Sequence, residues 1–160
     1  MHGKKEGISP QSMIAPMTIE DVEQVMEIGF QTPEFQTGTG APQFYSKEAL
    51  ERMLNSKDCI LLTARVDGKL AGFVLTTIMP ASRDAYIHSV VVSKAFRRQG
   101  IASQLLEETL TNLEKRVEDC NRVYCDVRTD NKISERLFRQ HGFTIGETFH
   151  YSELMLPRSR

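Results

Sequence analysis

Apolar residues recur along this chain at two periods. Ile101, Leu105, Leu106, Leu110, Leu113 and Val117 keep the three-to-four spacing of one helix face, while Glu107, Glu108, Lys115 and Glu118 fall on the other, which predicts a long helix to about Asp119. Runs rich in β-branched and aromatic residues predict strands: CILLTARV (59–66), KLAGFVLTTIM (69–79), AYIHSVVV (85–92) and RVYCDVR (122–128). Asp67-Gly68 between the first two is the signature of a type I′ hairpin turn. IAPMT (14–18) reads as a further short strand. Thr18 and Asp21 then form a capping pair for a helix that turns Val22, Val25 and Met26 inward. A second short helix buries Leu50, Met53 and Leu54. Near the end of the chain, Asp130 caps a helix through about His141 that Gly142 terminates, and TIGETFHYSELMLP (144–157) supplies a final pair of strands. The segment 29–46, GFQTPEFQTGTGAPQFYS, is long for a connection and carries four aromatics, which marks it as a working loop or a disordered one.

Strands 59–92 follow one another as an antiparallel meander. The strand, helix and strand over 85–128 require a right-handed crossover with its two strands parallel. With 160 residues, 40% of them hydrophobic, the chain has apolar mass for one core, assigned to 13–158, and the polar start MHGKKEGISPQS (1–12) is expected to be a mobile tail. A formal charge of −1 argues against general attraction to nucleic acid or anionic membrane. No run approaches the roughly 20 apolar residues of a membrane span, and no signal-peptide core is visible. Cys59, Cys120 and Cys125 are odd in number and lack CxxC or Cys/His spacing, so neither a disulfide framework nor a metal site is expected, and a cytoplasmic location fits.

The stretch AFRRQGIASQLLEETL (95–110) sets two arginines on the first turn of the long helix, where the dipole is already positive. That arrangement makes sense if an anion binds there. Gly100 and Ala102 leave room for it beside unpaired backbone N–H groups, Arg97 and Arg98 flank it, and a diphosphate suits the width of the turn. The alternative is a solvated basic turn. The turn lacks the Lys-Ser/Thr pair of a P-loop and has one glycine where a dinucleotide fingerprint has three.

These residues resemble a known family. VVVSKAFRRQGIASQLL (90–106) is similar to the acetyl-CoA signature of the GCN5-related N-acetyltransferases (GNAT), with Arg97, Gly100 and Ala102 matching its [RQ]-x-x-G-x-[GA] core. DNKISERLFRQHGF (130–143) resembles the family's second motif, an Asn opening a helix that ends in Gly-Phe. The resemblance implies an α/β (α+β) fold: a mixed sheet of antiparallel meander plus parallel strand-helix-strand crossover, with helices on both faces. It implies acetyl-CoA as cosubstrate, no metal, and an amine acceptor. In the family the two parallel strands splay. Carried onto this chain, the pantothenate arm pairs with the strand of Val90, Val91 and Val92, and the diphosphate sits among Arg97, Arg98, Gln99, Gly100, Ile101, Ala102 and Ser103. Asn131 and Ser134 line the pantetheine end, the alternative for Asn131 being a plain helix cap beside Asp130. The chain departs from the family at Phe138, seven residues after Asn131, where a tyrosine acid is usual. Either another donor such as Tyr151 replaces it, or CoA thiolate leaves with help from water and the helix dipole.

Four residues are candidates for the acid–base work. Strand parity sets Tyr86, His88, Val90 and Val92 on one face, so Tyr86 and His88 are expected to look toward the acceptor. Tyr86 matches the position of the base in histone-type relatives; His88 has the better intrinsic pKa. Asp126 on the adjoining strand could act through water, or else pair with backbone or Arg128. Packed or hydrogen-bonded structural roles fit Tyr86, His88 and Tyr151 too. Loop 29–46 and segment 144–157 are expected to wall the acceptor cleft with Phe30, Phe35, Phe44, Tyr45, Phe149 and Tyr151 beside Glu34, Glu147 and Glu153, which suits a small or peptidic amine. The expected partners are acetyl-CoA and that amine, without nucleic acid or membrane; a homodimer is compatible with the chain. The competing class is a non-catalytic CoA-binding regulatory module.

Overall fold

Asp67 (φ 49°) and Gly68 (φ 76°) both take left-handed backbone, as a type I′ turn demands, and join β2 (Cys59–Val66) to β3 (Lys69–Met79). The computed structural model describes residues 11–157, so the expected tail lies almost wholly outside the described residues. From β3 the chain returns antiparallel as β4 (Asp84–Val92), and β1 (Met13–Pro16) lines the far side of β2. β5 (Arg122–Tyr124) lies parallel to β4, giving the sheet order β1-β2-β3-β4-β5. The crossover into β5 is α3 (Ile101–Glu114).

β3 alternates between two cores. Phe73 and Leu75 join Val91 against α1 (Val22–Phe30) and α2 (Lys47–Leu54), through Val22, Val25 and Leu50. Val74 faces the other side, toward Ile101, Leu105 and Leu106 of α3 and Phe138 of α4 (Lys132–Gln140). Helices therefore cover both faces. The capping pair forms as the sequence implies, Thr18 N–H donating to Asp21 at 2.9 Å, although it opens a 3-10 turn that leads into α1. No helix of the described residues is long and apolar enough to cross a membrane.

Four local expectations give way. α3 stops at Glu114 rather than near Asp119: the next turn tightens to Arg116 N–H on the Leu113 carbonyl, and Val117, expected inward, is 56% exposed. In this turn the Arg116 guanidinium holds Asp58, Asp119 and the Lys57 carbonyl, tying it to the segment before β2. α4 is capped by Asn131, which accepts from Ser134 N–H at 3.1 Å, because Asp130 is held in a two-bond pair with Arg128. β5 pairs over 122–124 and not to 128. The segment 144–157 forms no ladder, and Phe149, Leu154 and Leu156 stand 75%, 82% and 78% exposed. Alternating apolar residues make a strand only where an edge offers backbone partners, and a three-residue β5 offers few.

Candidate functional site

β4 is longer than its parallel neighbour. Pairing with β5 ends at Tyr86↔Tyr124, while pairing with β3 continues to Val92↔Gly72. From Ile87 onward the backbone groups of β4 that face β5 have no strand partner, so a wedge opens between the strands. Val90 and Val92, half-buried, lie on this length of β4, and Val91 is buried against the α1–α2 core.

At the wide end of the wedge the chain turns into α3. Arg97 Nε donates to the Val92 carbonyl at 3.2 Å, which fixes the turn against β4. Arg98 (φ 64°) and Gly100 (φ 76°) are left-handed, and Gly100 is the N-cap of α3. A side chain at Gly100 would meet nothing within 4 Å, so there is open space beside the N-cap of α3, whose first-turn amides have no intrahelical partner. Arg97, Arg98 and Gln99 are exposed, Ala102 is half-buried, and Ile101 is a core anchor at 2% exposure.

Ser103 and the α4 residues are placed by a contact that periodicity does not reveal. Ser103 Oγ lies 2.9 Å from His141 Nε2, and His141 Nδ1 lies 2.8 Å from the Leu137 carbonyl. A carbonyl only accepts, so Nδ1 donates to Leu137, while Nε2 meets Ser103 and, at 3.4 Å, the Glu107 carboxylate, which also accepts from Ser103 Oγ at 3.3 Å. The first turn of α3 is thus tied to the end of α4. Phe138 is 5% exposed and packs edge-on against Phe143 at 5.0 Å, in an apolar seat. Asn131 uses its carbonyl oxygen as the α4 cap, leaving its amide protons for another partner, and half-buried Ser134 supplies the capped N–H. Beside Asn131, a depression of about 410 Å³ runs between Glu34 and Arg128.

The face of β4 is set by a bulge. Leu75 pairs with Ser89 but Thr76 pairs with Ile87, so His88 is an extra residue in β4. Strand parity reverses there. Ala85 and Ile87 pack toward α3, as do Val90 and Val92 on the other side of the bulge. Tyr86 and His88 therefore face away from Val90 and Val92, correcting the shared face expected from simple alternation, and they meet residues on the α1–α2 side.

There they make three side-chain hydrogen bonds. His88 is bonded at both nitrogens, to Tyr45 Oη through Nδ1 and to Thr77 Oγ1 through Nε2, each at 2.8 Å. Burial pushes its pKa down, keeping it neutral, and burial with nearby Tyr151 pushes Tyr45 up. Tyr86 Oη donates to Asp126 at 2.9 Å; burial and that carboxylate raise the Tyr86 phenol. Asp126 thus serves Tyr86, and Arg128 takes Asp130 and the Gln36 carbonyl instead. The tyrosine and histidine rings are in contact, with centroids 4.7 Å apart for Tyr86 and His88 and 5.2 Å for Tyr86 and Tyr124. Tyr151 is 58% exposed and donates to Glu153, whose carboxylate raises its pKa; Glu153 also accepts from Thr39 at 2.6 Å, joining segment 144–157 to loop 29–46. Sequence reasoning missed Tyr45 and Thr77 as partners of His88. They lie 43 and 11 residues away, and only the folded sheet brings them together.

A sheet that splays beside an open helix N-terminus is the arrangement of one class of acyl-transfer domain. The chain belongs to the acetyltransferase (GNAT) family, whose model matches residues 24–143. Among curated proteins it is 32% identical over 74 residues to the chloroplastic GCN5-related N-acetyltransferase 6 of Arabidopsis thaliana, covering 46% of this chain and 25% of that one. It is 30% identical over 80 residues to an uncharacterised N-acetyltransferase of Methanocaldococcus jannaschii, covering 50% and 49%. The match thus spans between a quarter and half the length of these relatives. Among solved structures it resembles an aminoglycoside N-acetyltransferase in complex with CoA (TM-score 0.72, 20% identity, 91% of this chain and 96% of that one). It also resembles the ribosomal-protein-S18-alanine N-acetyltransferase of Escherichia coli (TM-score 0.68, 20% identity, 86% and 80%). A third is a GNAT-family acetyltransferase of Streptococcus pneumoniae (TM-score 0.69, 25% identity, 85% and 86%).

Proposed function

We propose that this protein transfers the acetyl group of acetyl-CoA to a primary amine of a small molecule or peptide by direct attack in a ternary complex. The observation that carries this reading is that β4 runs on past the end of its pairing with β5 and leads into the open turn at Gly100: strand backbone without a strand partner suits the amides of a pantetheine arm, and the first turn of α3 suits phosphates. Arg97, Arg98, Gln99 and the amides of Gly100 to Ser103 would hold the diphosphate, with Ile101 fixing the helix in the core. Val90 to Val92 would pair with the pantetheine amides, and Asn131 and Ser134 would stand near its end.

The reaction needs a neutral amine, a polarised thioester carbonyl and a fate for the thiolate. Free backbone N–H groups on β4 beyond the bulge suit the carbonyl. Phe138 donates no proton, and Tyr151 is a weakened acid beside Glu153. A thiol with a pKa of about 8.5 can depart as thiolate with little help, which makes a dedicated acid dispensable. Tyr86, His88 and Asp126 remain the acid–base candidates on the acceptor side. One observation favours a second reading, a non-catalytic CoA-binding module: the apolar burial of Phe138.

Turnover separates the two. Acetyl-CoA at about 100 times its Kd should stabilise the fold by about 2.7 kcal/mol, and Gly100→Val should abolish most of that shift. Release of free thiol in the presence of aminoglycosides, polyamines or short peptides would establish the transferase, whereas stabilisation without thiol release across the panel would favour the module. A wild-type Tm indifferent to acetyl-CoA would overturn both.

A further inference from the structure

Resting on the transferase reading, the geometry points to Tyr45 as the residue that takes the acceptor's proton, with His88 behind it as proton store and Thr77 as the positioning residue that fixes the imidazole. Neither nitrogen of His88 is free to meet an amine, since Tyr45 Oη occupies Nδ1 and Thr77 Oγ1 occupies Nε2. Any base function of His88 must therefore run through one of these hydroxyls. Thr77 points inward along the sheet, where Cys59 Sγ lies 3.6 Å from its oxygen. Tyr45 lies on the other side of the ring, half-buried at the end of loop 29–46 with Tyr151 nearby.

Acidity decides the direction of the chain. A phenol is a far stronger donor than an aliphatic alcohol, so Tyr45 O–H donates to Nδ1, Nε2–H donates to Thr77, and the Thr77 proton is left for Cys59. The phenol oxygen, having given its own proton to Nδ1, keeps the capacity to accept one from the amine. As the amine nitrogen bonds to the thioester carbon, its surplus proton passes to Tyr45 Oη while the phenolic proton passes to His88 Nδ1. The C–S bond breaks with its electron pair on sulfur, and the imidazolium later returns its proton through Tyr45 to the thiolate or to water. The titratable groups around His88 are Tyr45 from the loop, Tyr86 from β4 with Asp126 of the segment after β5 behind it, and Cys59 of β2 behind Thr77. The position of Tyr45 is over-determined. Phe44 before it is buried against Phe35 and Phe73, and Ser46 after it caps α2.

The test combines kinetics with nitrogen NMR of the His88 ring. For any amine the wild type acetylates, Tyr45→Phe should lower kcat about 100-fold or more, flatten the acid limb of the pH profile, and leave both KM for acetyl-CoA and the acetyl-CoA-induced Tm shift unchanged. Thr77→Val should lower kcat less, with Thr77→Ser restoring it. Without any acceptor, the wild-type ring should show Nδ1 unprotonated and Nε2 protonated. Retention of kcat within about threefold in Tyr45→Phe, or a protonated Nδ1 in the neutral wild-type ring, overturns the relay. If acetyl-CoA stabilises neither wild type nor variants, the transferase reading itself has failed.

Discussion

Gly29 lacks a side chain where Phe44 needs the space. A Cβ there would come within 2.3 Å of the Phe44 ring, which is stacked on Phe35 at 5.3 Å and is 8% exposed. The aromatic expected to wall an acceptor cleft is therefore a core residue, and its neighbour Tyr45 carries the polar contact. Gly29→Ala should cost about 1–3 kcal/mol by overpacking and shift the end of loop 29–46. Urea unfolding would read the first effect and the His88 ring resonances the second; an unchanged midpoint would show that Phe44 moves aside freely. At this scale, local chemistry was legible and distant partners were not. The left-handed Asp67, Gly68 and Gly100 follow from turn rules, whereas the pairing of buried Asp21 with Arg65, 44 residues apart, has no local signature.

Among the elements, the β4 bulge has the largest consequence, because one inserted residue exchanges the faces of every side chain beyond it. It sits opposite the Leu75–Thr76 step of β3, where Thr76 Oγ1 is buried with no hydrogen-bond partner among the described residues. A buried hydroxyl without a partner is a liability that an isosteric methyl removes. Thr76→Val should therefore raise stability by about 1 kcal/mol without altering acetyl-CoA binding, as judged by denaturant midpoints. A loss of stability would mean that the hydroxyl has a partner in solution. The bulge escaped the sequence reading because the adjacent polar pair His88-Ser89 and the valine run after it also fit an unbroken strand buried on both faces. Likewise β5 and segment 144–157 carry strand-like patterns without enough edge to pair with.

For the whole molecule, the shifted ionisable groups define a pH window. His88 is held below its ordinary value by burial, so the unfolded chain binds more protons as pH falls; the contribution of neutral His88 is full above about 6.5 and is lost below it. Asp84, held low by Arg122, adds stability above about 3.9 that is lost as pH falls through its folded value. At the other end, burial pushes Cys125 up to about 12, and its contribution, full below about 8.5, declines as pH climbs from there to the folded value. Thermal melts should show a plateau between about pH 6.5 and 8.5 with losses on both sides. His88→Asn should shallow the acid slope between about pH 7 and 5, and Cys125→Ala the alkaline slope above about 8.5. Slopes unaltered in these variants would assign the pH dependence to other groups.

The sequence by itself determined the elements whose forces are local: the I′ hairpin, the Thr18–Asp21 capping pair, the amphipathic α3 and the glycine turn before it, together with the motif order that marks the family. Helix periodicity, turn chemistry and capping act over a few residues, so they survive in a linear reading. Only the tertiary structure decided where strand pairing stops, which face Tyr86 and His88 present, and that Tyr45, Thr77 and Asp126 are their partners. These depend on the register of one strand against another and on groups that meet only after the sheet has closed. A single residue of slippage changes all of them while leaving the hydrophobic pattern of each segment untouched.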